Sequence, residues 1–190
     1  VRPGDEVIVF GPFFPWYAPS VRLAGGVCKA ITLQPPRFDF SQSILQAIEE
    51  AISPRTKLLI FNSPHNPSGK VATATELAAL SSICVRHNLL VISDEVYEGC
   101  VFPSAQPQAG CSASSAGGGG EGGRMLNNGH HRLSEFEGMR DLTVTIGSAS
   151  KLFSLCGWRV GWVTGVADLV AGVKTMHGYS TYCAPTPLVL

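Results

Sequence analysis

The chain has 190 residues, of which 45% are hydrophobic and 15% charged, and its 14 basic side chains balance 14 acidic ones. This length and apolar content predict one domain with a real core, or a large piece of a bigger one, and exclude global disorder. A run of about 18 uninterrupted apolar residues is absent, which excludes a membrane-spanning helix. Zero net charge argues against nucleic acid or an anionic membrane surface as the main partner.

The six cysteines are scattered, with no C-x-x-C pair and no paired histidines nearby, so the sequence predicts no metal site. Reduced thiols in a cytosol-like compartment are the favoured interpretation. The first ten residues, VRPGDEVIVF, lack a basic and an apolar signal region and suggest that the chain begins in mid-domain. We expect a cytoplasmic protein, or a mitochondrial one if a transit peptide precedes this sequence.

Five short apolar runs, rich in β-branched residues, are predicted as strands buried on both faces: Glu6–Phe10, Val27–Leu33, Leu58–Phe61, Leu89–Ser93 and Leu142–Ile146. Helical patterns lie between them at Ser41–Ile52 and at Thr73–His87, where Thr73 and Glu76 have capping-box spacing. Trp158–Val163 and Ala167–Met176 are predicted as a further strand and helix. This alternation predicts an α/β fold with a mostly parallel, doubly wound sheet and helices on both faces.

Residues 104–130 interrupt the pattern with a stretch of mostly glycine, serine and alanine between Ser104 and Gly123. Such a composition buries too little apolar surface to offset its backbone entropy, so we predict a flexible surface insertion. A glycine-rich phosphate loop is the alternative. It is disfavoured because no strand precedes these glycines and no helix signal follows them.

Polar residues that directly follow the predicted strands are the candidate functional residues, because ligands bind beyond the carboxyl ends of strands in such sheets. Four segments have this position: Gly11-Pro-Phe-Phe14, Asn62-Ser-Pro-His-Asn66-Pro-Ser-Gly-Lys70, Asp94-Glu-Val-Tyr97, and Gly147-Ser-Ala-Ser-Lys151 followed by Gly157-Trp-Arg159. Together they direct a lysine, an acid, an arginine, a tyrosine, an asparagine and an aromatic ring toward one crevice.

These motifs, in this order, resemble the class I aminotransferases of fold type I, which use pyridoxal 5′-phosphate (PLP). The segments GPFFPWYAP, NSPHNPSGK, ISDEVY and TIGSASKLFSLCGWRVGW are most similar to the kynurenine aminotransferase and cysteine-conjugate β-lyase subgroup. The resemblance covers nearly all of the chain outside the glycine-rich stretch. It implies the large domain of that fold, amino acid and 2-oxo acid substrates, and a homodimer.

The resemblance also assigns roles to the motif residues. Lys151 would form the Schiff base with PLP and later shuttle a proton, for which its amine must be partly unprotonated. Asp94 would pair with the pyridine nitrogen and keep it protonated, so that the ring accepts electrons. Tyr97 and Asn66 would hydrogen-bond the phenolic oxygen and thereby lower the pKa of the imine.

Three further residues complete the implied cofactor site. Ser148 and Arg159 would bind the phosphate, Arg159 through its permanently charged, bidentate fork. Phe14 would stack on the pyridine ring, although Phe13 is an alternative for this role. Tyr17 is a candidate lining residue, and nothing in the local sequence decides its position.

The histidines have weaker signals. His65 lies inside the asparagine–proline motif, where it is a candidate for contact with substrate. We predict that His130 and His131, at the end of the insertion, are solvated loop residues. Glu95 receives no functional role and is expected to be structural.

The chain resembles only the central part of the large domain of such an enzyme. We expect the segment before the first strand, the small domain and the arginine that binds the substrate carboxylate to lie outside this sequence. Transamination of kynurenine or another large or sulfur-containing amino acid is the leading hypothesis. The alternatives are β-elimination from cysteine conjugates, which shares the same carbanion, and an inactive truncated remnant.

Overall fold

The computed structural model describes residues 1–102 and 129–185, and within them six strands form one sheet. The strands are β1 (Glu6–Gly11), β2 (Val27–Thr32), β3 (Thr56–Asn62), β4 (Leu90–Asp94), β5 (Thr143–Ser148) and β6 (Gly161–Thr164). Their spatial order is β2-β1-β3-β4-β5-β6, with all neighbours parallel except the antiparallel pair β5 and β6. The predicted mostly parallel α/β sheet is therefore confirmed.

In the described part of the chain, five α-helices accompany the sheet: α1 (Tyr17–Leu23), α2 (Gln42–Ala51), α3 (Ala74–Arg86), α4 (Ala149–Leu152) and α5 (Ala167–Ser180). The predicted capping box begins α3, where the Thr73 side chain accepts from the Glu76 backbone N–H at 3.2 Å. The Glu76 carboxylate accepts in return from the Thr73 N–H at 2.8 Å. Two backbone donors that the helix itself leaves without acceptors are thereby satisfied.

Alternate residues of the central strands bury opposite faces of the sheet. Ile8 and Phe10 of β1 lie in the larger core, together with Ile48 of α2 and with residues of α3. Val7 and Val9 lie in a second core on the other face, which Val21 of α1 covers. Burial on both faces explains why these strands are continuous apolar runs without polar alternation.

Two predictions about elements need correction, and a third element was not expected. The prediction that Val27–Leu33 is buried on both faces is wrong, because β2 is the edge strand and Val27 is 50% exposed. The strand predicted at Trp158–Val163 begins only at Gly161, after a short 3₁₀ turn at Cys156–Trp158. The helix α1 was not predicted, since its seven residues with an internal proline carry little periodic signal.

Most of the predicted insertion at residues 104–130 lies outside the described residues. The prediction of solvated histidines at its end is wrong: His130 is completely buried and His131 is 8% exposed. His130 lies against the buried Glu95 carboxylate, a long-range partner that local composition does not indicate. In the part of the chain that the structure describes, no helix has the length and hydropathy needed to cross a membrane.

Candidate functional site

The carboxyl ends of the parallel strands bring the candidate residues to one edge of the sheet. Asn62 is the last residue of β3 and Asp94 the last residue of β4, and the two are paired in the register of these strands. Ser148 ends β5, the next strand along. The candidate residues therefore meet where α/β sheets ordinarily bind ligands.

Asp94 is a partly buried carboxylate with two hydrogen-bond donors. The Tyr17 hydroxyl donates a short hydrogen bond to Oδ2, and the Val96 backbone N–H donates to Oδ1 at 3.3 Å. Burial raises the pKa of Asp94, and the nearby charge of Glu95 adds to this rise, whereas the two donors oppose it. The site thus contains an acid whose charge is sensitive to its hydrogen-bond partners.

A continuous run of hydrogen bonds connects Asp94 to Asn66 and Tyr97. Asn62 Nδ2 donates to the Asp94 carbonyl oxygen at 2.8 Å, and Asn62 Oδ1 accepts from the Asn66 N–H at 2.7 Å. Asn66 Nδ2 in turn donates to the Tyr97 hydroxyl at 3.3 Å. The two residues predicted to contact one oxygen of the cofactor therefore already lie side by side.

Lys151 lies on α4, which leaves the end of β5. The hydroxyl of Ser148 caps this short helix by accepting from the Ser150 N–H at 3.2 Å. The Lys151 amine lies 5.8 Å from the centroid of the Tyr97 ring, within the range of a cation–π contact. A Cβ at Gly99 would lie 2.5 Å from Leu152 Cδ1, so this glycine leaves room for the Leu152 side chain of α4.

Arg159 lies beside α4 in the turn before β6. Its backbone is left-handed, with φ of 55°, a conformation that is unfavourable for a residue with a Cβ atom. Its guanidinium donates to the Cys156 carbonyl oxygen at 3.3 Å. Within residues 1–102 and 129–185, neither Arg159 nor Lys151 has an acidic partner. Two exposed cations without counter-ions favour an anionic ligand at this position.

Phe14 lies at the opposite side of the site, next to Tyr17. The two rings meet edge to face with centroids 5.8 Å apart, and Phe14 is 37% exposed. Phe13, the alternative stacking residue, packs partly buried against the second core. The exposed ring surface of Phe14 is therefore the one available to a ligand.

His65 is buried within the asparagine–proline loop rather than open to solvent. Its Nδ1 lies 2.6 Å from Ser68 Oγ. Burial lowers the pKa of His65, while the backbone carbonyls of Pro12 and Phe10 act in the opposite direction. The His65 ring of this loop thus lies near the end of β1.

Behind Asp94, Glu95 forms a buried polar cluster with the segment that returns after residue 128. Its carboxylate lies 2.9 Å from His130 Nε2 and accepts from Ser93 Oγ at 2.9 Å. Glu95, Glu98 and His130 offer ligand atoms within 4.8 Å of one another, a spacing compatible with a metal ion. However, the Arg132 guanidinium lies 2.9 Å from Glu98 and 3.9 Å from Glu95, so a cation is already present there.

The sequence predictions missed the connecting residues of the site. Asn62 was recognised only as part of a motif, although its position at the end of β3 is the signal that identifies it. The local sequence does not fix the position of Tyr17, because its partner Asp94 lies 77 residues away. The sequence does not predict the contact between Glu95 and His130, because the two residues are 35 positions apart.

Comparisons with known proteins identify the family. The model of the class I and II aminotransferases matches residues 1–190. A probable N-succinyldiaminopimelate aminotransferase, DapC, of Mycobacterium tuberculosis is 40% identical over 98% of this chain and 41% of its own length. Kynurenine–oxoglutarate transaminase 3 of Rattus norvegicus is 37% identical over 99% of this chain and 38% of its own length.

Solved structures agree with these matches. The structure of N-succinyldiaminopimelate aminotransferase from Mycobacterium tuberculosis has a TM-score of 0.81 and 40% identity, and the alignment covers this whole chain and 44% of that one. The chain thus spans about two fifths of the length of the relatives it matches. With its sheet, its strand-end motifs and the family match over every residue, the chain belongs to the class I and II aminotransferases.

Proposed function

We propose that this chain carries the cofactor site of a PLP-dependent aminotransferase, which transfers an amino group from an amino acid to a 2-oxo acid. The observation that carries the proposal is the connected set at one sheet edge: Asp94, Asn66, Tyr97 and Lys151. PLP itself is implied by the family. When bound, it supplies an aldehyde and an electron-accepting ring.

The chemistry of the donor set fits PLP. The Lys151 amine can condense with the aldehyde, and the Asp94 carboxylate can accept a hydrogen bond from the protonated ring nitrogen. Two neutral donors, Asn66 and Tyr97, can hydrogen-bond the phenolic oxygen. Arg159 and Lys151 lack acidic partners within the described residues, and a phosphate group at Arg159 and Ser148 would supply the missing negative charge. Each polar group of PLP therefore has a complementary residue here.

Each of these residues would have its own role toward bound PLP. The Lys151 amine would hold the cofactor at its aldehyde, and would then accept and return a proton of the substrate. Asp94 would keep a proton on the ring nitrogen, and Tyr97 and Asn66 would favour the anionic form of the phenolic oxygen. Phe14 would provide a flat apolar surface for the pyridine ring. Its edge-to-face contact with Tyr17 limits the rotation of the Phe14 side chain.

Trapping the Schiff base tests the proposal. Purified chain is incubated with PLP, reduced with borohydride and mapped by peptide mass spectrometry. We expect visible absorbance before reduction and a stable adduct on the peptide that contains Lys151. Lys151→Ala loses both, whereas Lys174→Ala, on the exposed helix α5, keeps both. Equal adducts in wild type and Lys151→Ala would overturn the assignment.

For the donor, we propose an amino acid with a large side chain, such as kynurenine, or a sulfur-containing one. The support is similarity to kynurenine–oxoglutarate transaminases; a probable N-succinyldiaminopimelate aminotransferase is about equally similar. The PLP-loaded protein is mixed with each donor in turn, and the rate at which the PLP absorbance is lost measures the first half-reaction. Faster loss with N-succinyldiaminopimelate than with kynurenine would contradict our choice. Release of pyruvate and ammonia from a cysteine conjugate would indicate elimination instead.

We also propose that the full-length enzyme is a homodimer, as the family resemblance implies. Sedimentation equilibrium of the full-length protein tests this. A single species at the monomer mass, across the micromolar range, would contradict it.

A further inference from the structure

We propose that Tyr17 is a positioning residue of the PLP site, which favours the ionised form of the Asp94 carboxylate and holds Phe14 in a fixed relation to it. This inference rests on the proposed function. The sequence indicates only that Tyr17 is a candidate lining residue; the inference comes from its two contacts in this structure.

The first contact controls the charge of Asp94. Burial and the neighbouring Glu95 both favour the protonated acid, which could not hold a proton on a ring nitrogen. The Tyr17 hydroxyl donates to Oδ2 and the Val96 N–H to Oδ1, and both hydrogen bonds favour the carboxylate. Of these two donors, only the Tyr17 hydroxyl belongs to a side chain, and a hydrogen bond to a charged group is among the stronger ones.

The Tyr17 hydroxyl remains a donor at all working pH values. Burial raises the pKa of Tyr17, and the charge of Asp94 raises it further, with a smaller contribution from Tyr97. Ionisation of the phenol would place two negative charges in direct contact. Proton donation toward Asp94 is therefore the stable arrangement of this pair.

The second contact fixes Phe14. The Tyr17 N–H donates to the Phe14 carbonyl oxygen at 3.1 Å, so the two residues share one tight turn before α1. Their rings also pack edge to face. Tyr17 thereby connects the residue proposed for the face of the pyridine ring with the residue proposed for its nitrogen.

Carbon-13 NMR titration of the chain without cofactor tests the charge effect directly. The chain has five aspartates, so labelling their carboxyl carbons gives few signals, and Asp94→Asn identifies that of Asp94. We expect Tyr17→Phe to move the Asp94 titration to higher pH than in wild type. We expect 3-fluorotyrosine at position 17, a stronger donor of nearly the same shape, to move it to lower pH. Tyr179→Phe, at an 89% exposed residue, should leave it unchanged.

Opposite shifts from these two changes support a hydrogen bond that tunes charge, since lost packing alone would not reverse sign. An unchanged midpoint in both, or shifts in the same direction, would overturn the inference. If Tyr17→Phe does not fold, the fluorinated chain decides the question by itself, with a shift to lower pH expected.

PLP titration of the same chains separates this inference from the proposed function. We expect the dissociation constant to rise in Tyr17→Phe, by at most roughly tenfold. The hydrogen bond to Asp94 is present without cofactor, so only its effect on the charge of Asp94 alters binding. If wild type itself binds no PLP, the proposed function fails, while the NMR titration still decides whether Tyr17 controls Asp94. An unchanged dissociation constant in Tyr17→Phe would contradict a positioning role toward the cofactor.

Discussion

His130 Nε2 lies 2.9 Å from Glu95 Oε2, and both side chains are shielded almost completely from solvent. This pair attaches the segment after residue 128 to the residue that directly follows Asp94, at the end of β4 and before Tyr97. The Leu133 N–H adds a longer bond of 3.4 Å to the same carboxylate. Glu95 is thus structural in the sense expected from the sequence, but its partner was not foreseen.

The first prediction concerns this buried pair. His130→Ala removes one partner and leaves a buried carboxylate with fewer donors, so we expect a loss of about 3–5 kcal/mol in unfolding free energy. Urea denaturation measures it. His87→Ala is the matched control, because its pair with Glu49 is partly exposed and should contribute less than about 1 kcal/mol. Equal losses in the two variants would contradict the buried character of the Glu95–His130 pair.

The second prediction concerns Asp94 as the partner of the ring nitrogen. Asp94→Asn preserves shape but removes the charge, and we expect PLP affinity to fall roughly 10- to 100-fold, as for loss of a hydrogen bond to a charged group. Asp141→Asn, an exposed change, should bind like wild type. Fluorescence titration with PLP measures both. If Asp94→Asn bound PLP with wild-type affinity, the Asp94 carboxylate would not be the partner of the ring nitrogen.

The third prediction concerns Tyr97 and Asn66. If both donate to the phenolic oxygen, Tyr97→Phe weakens support for its anionic form, and the imine should titrate at higher pH. The visible absorbance of the PLP-treated chain, followed against pH, reports that midpoint. Because Asn66 Nδ2 and the Tyr97 hydroxyl are in contact, we expect Asn66→Ala and Tyr97→Phe to be non-additive. Tyr182→Phe, at an exposed residue, is the control; a midpoint that moves equally there would refute the assignment.

The fourth prediction concerns acid stability and Glu6, at the beginning of β1. Lys29 Nζ lies 2.7 Å from its carboxylate, and Arg55, Ser53 and Thr56 also donate to it. Lys29 and these other donors hold the pKa of Glu6 well below its ordinary value of 4.5. A carboxylate with a lowered folded-state pKa stabilises the fold above the unfolded-state value, and this stabilisation disappears as the pH falls below it.

We therefore expect Glu6→Gln to be less stable than wild type at pH 7, with a difference that shrinks as the pH falls below 4.5. Thermal unfolding at a series of pH values measures the difference. Glu50→Gln, on the exposed side of α2, should differ from wild type by the same small amount throughout. A Glu6→Gln difference that is independent of pH would show that its ion pairs do not control acid stability.

Much of the fold was predictable because its signals are local. The central strands are apolar runs because both of their faces are buried. The helix α3 begins at a capping box formed by Thr73 and Glu76, which lie three residues apart. The positions of most candidate site residues were also predictable, since they lie at or shortly after the carboxyl ends of strands. Their roles stay predictions. The position of β2 at the edge of the sheet was not predictable. Its composition is that of a buried strand, and only the order of the strands in the sheet shows that it lies at the edge.

Taken alone, the sequence determined the central strands, the helices α2, α3 and α5, the family, and the positions of Lys151, Asp94, Asn66 and Tyr97 at or shortly after strand ends. The tertiary structure decided which side chains meet: Tyr17 with Asp94, Asn62 with Asn66, and Glu95 with His130. The physical reason is that hydrophobic period and capping act over a few residues, whereas contacts such as Tyr17–Asp94 form between residues brought together only by parallel strand pairing and packing.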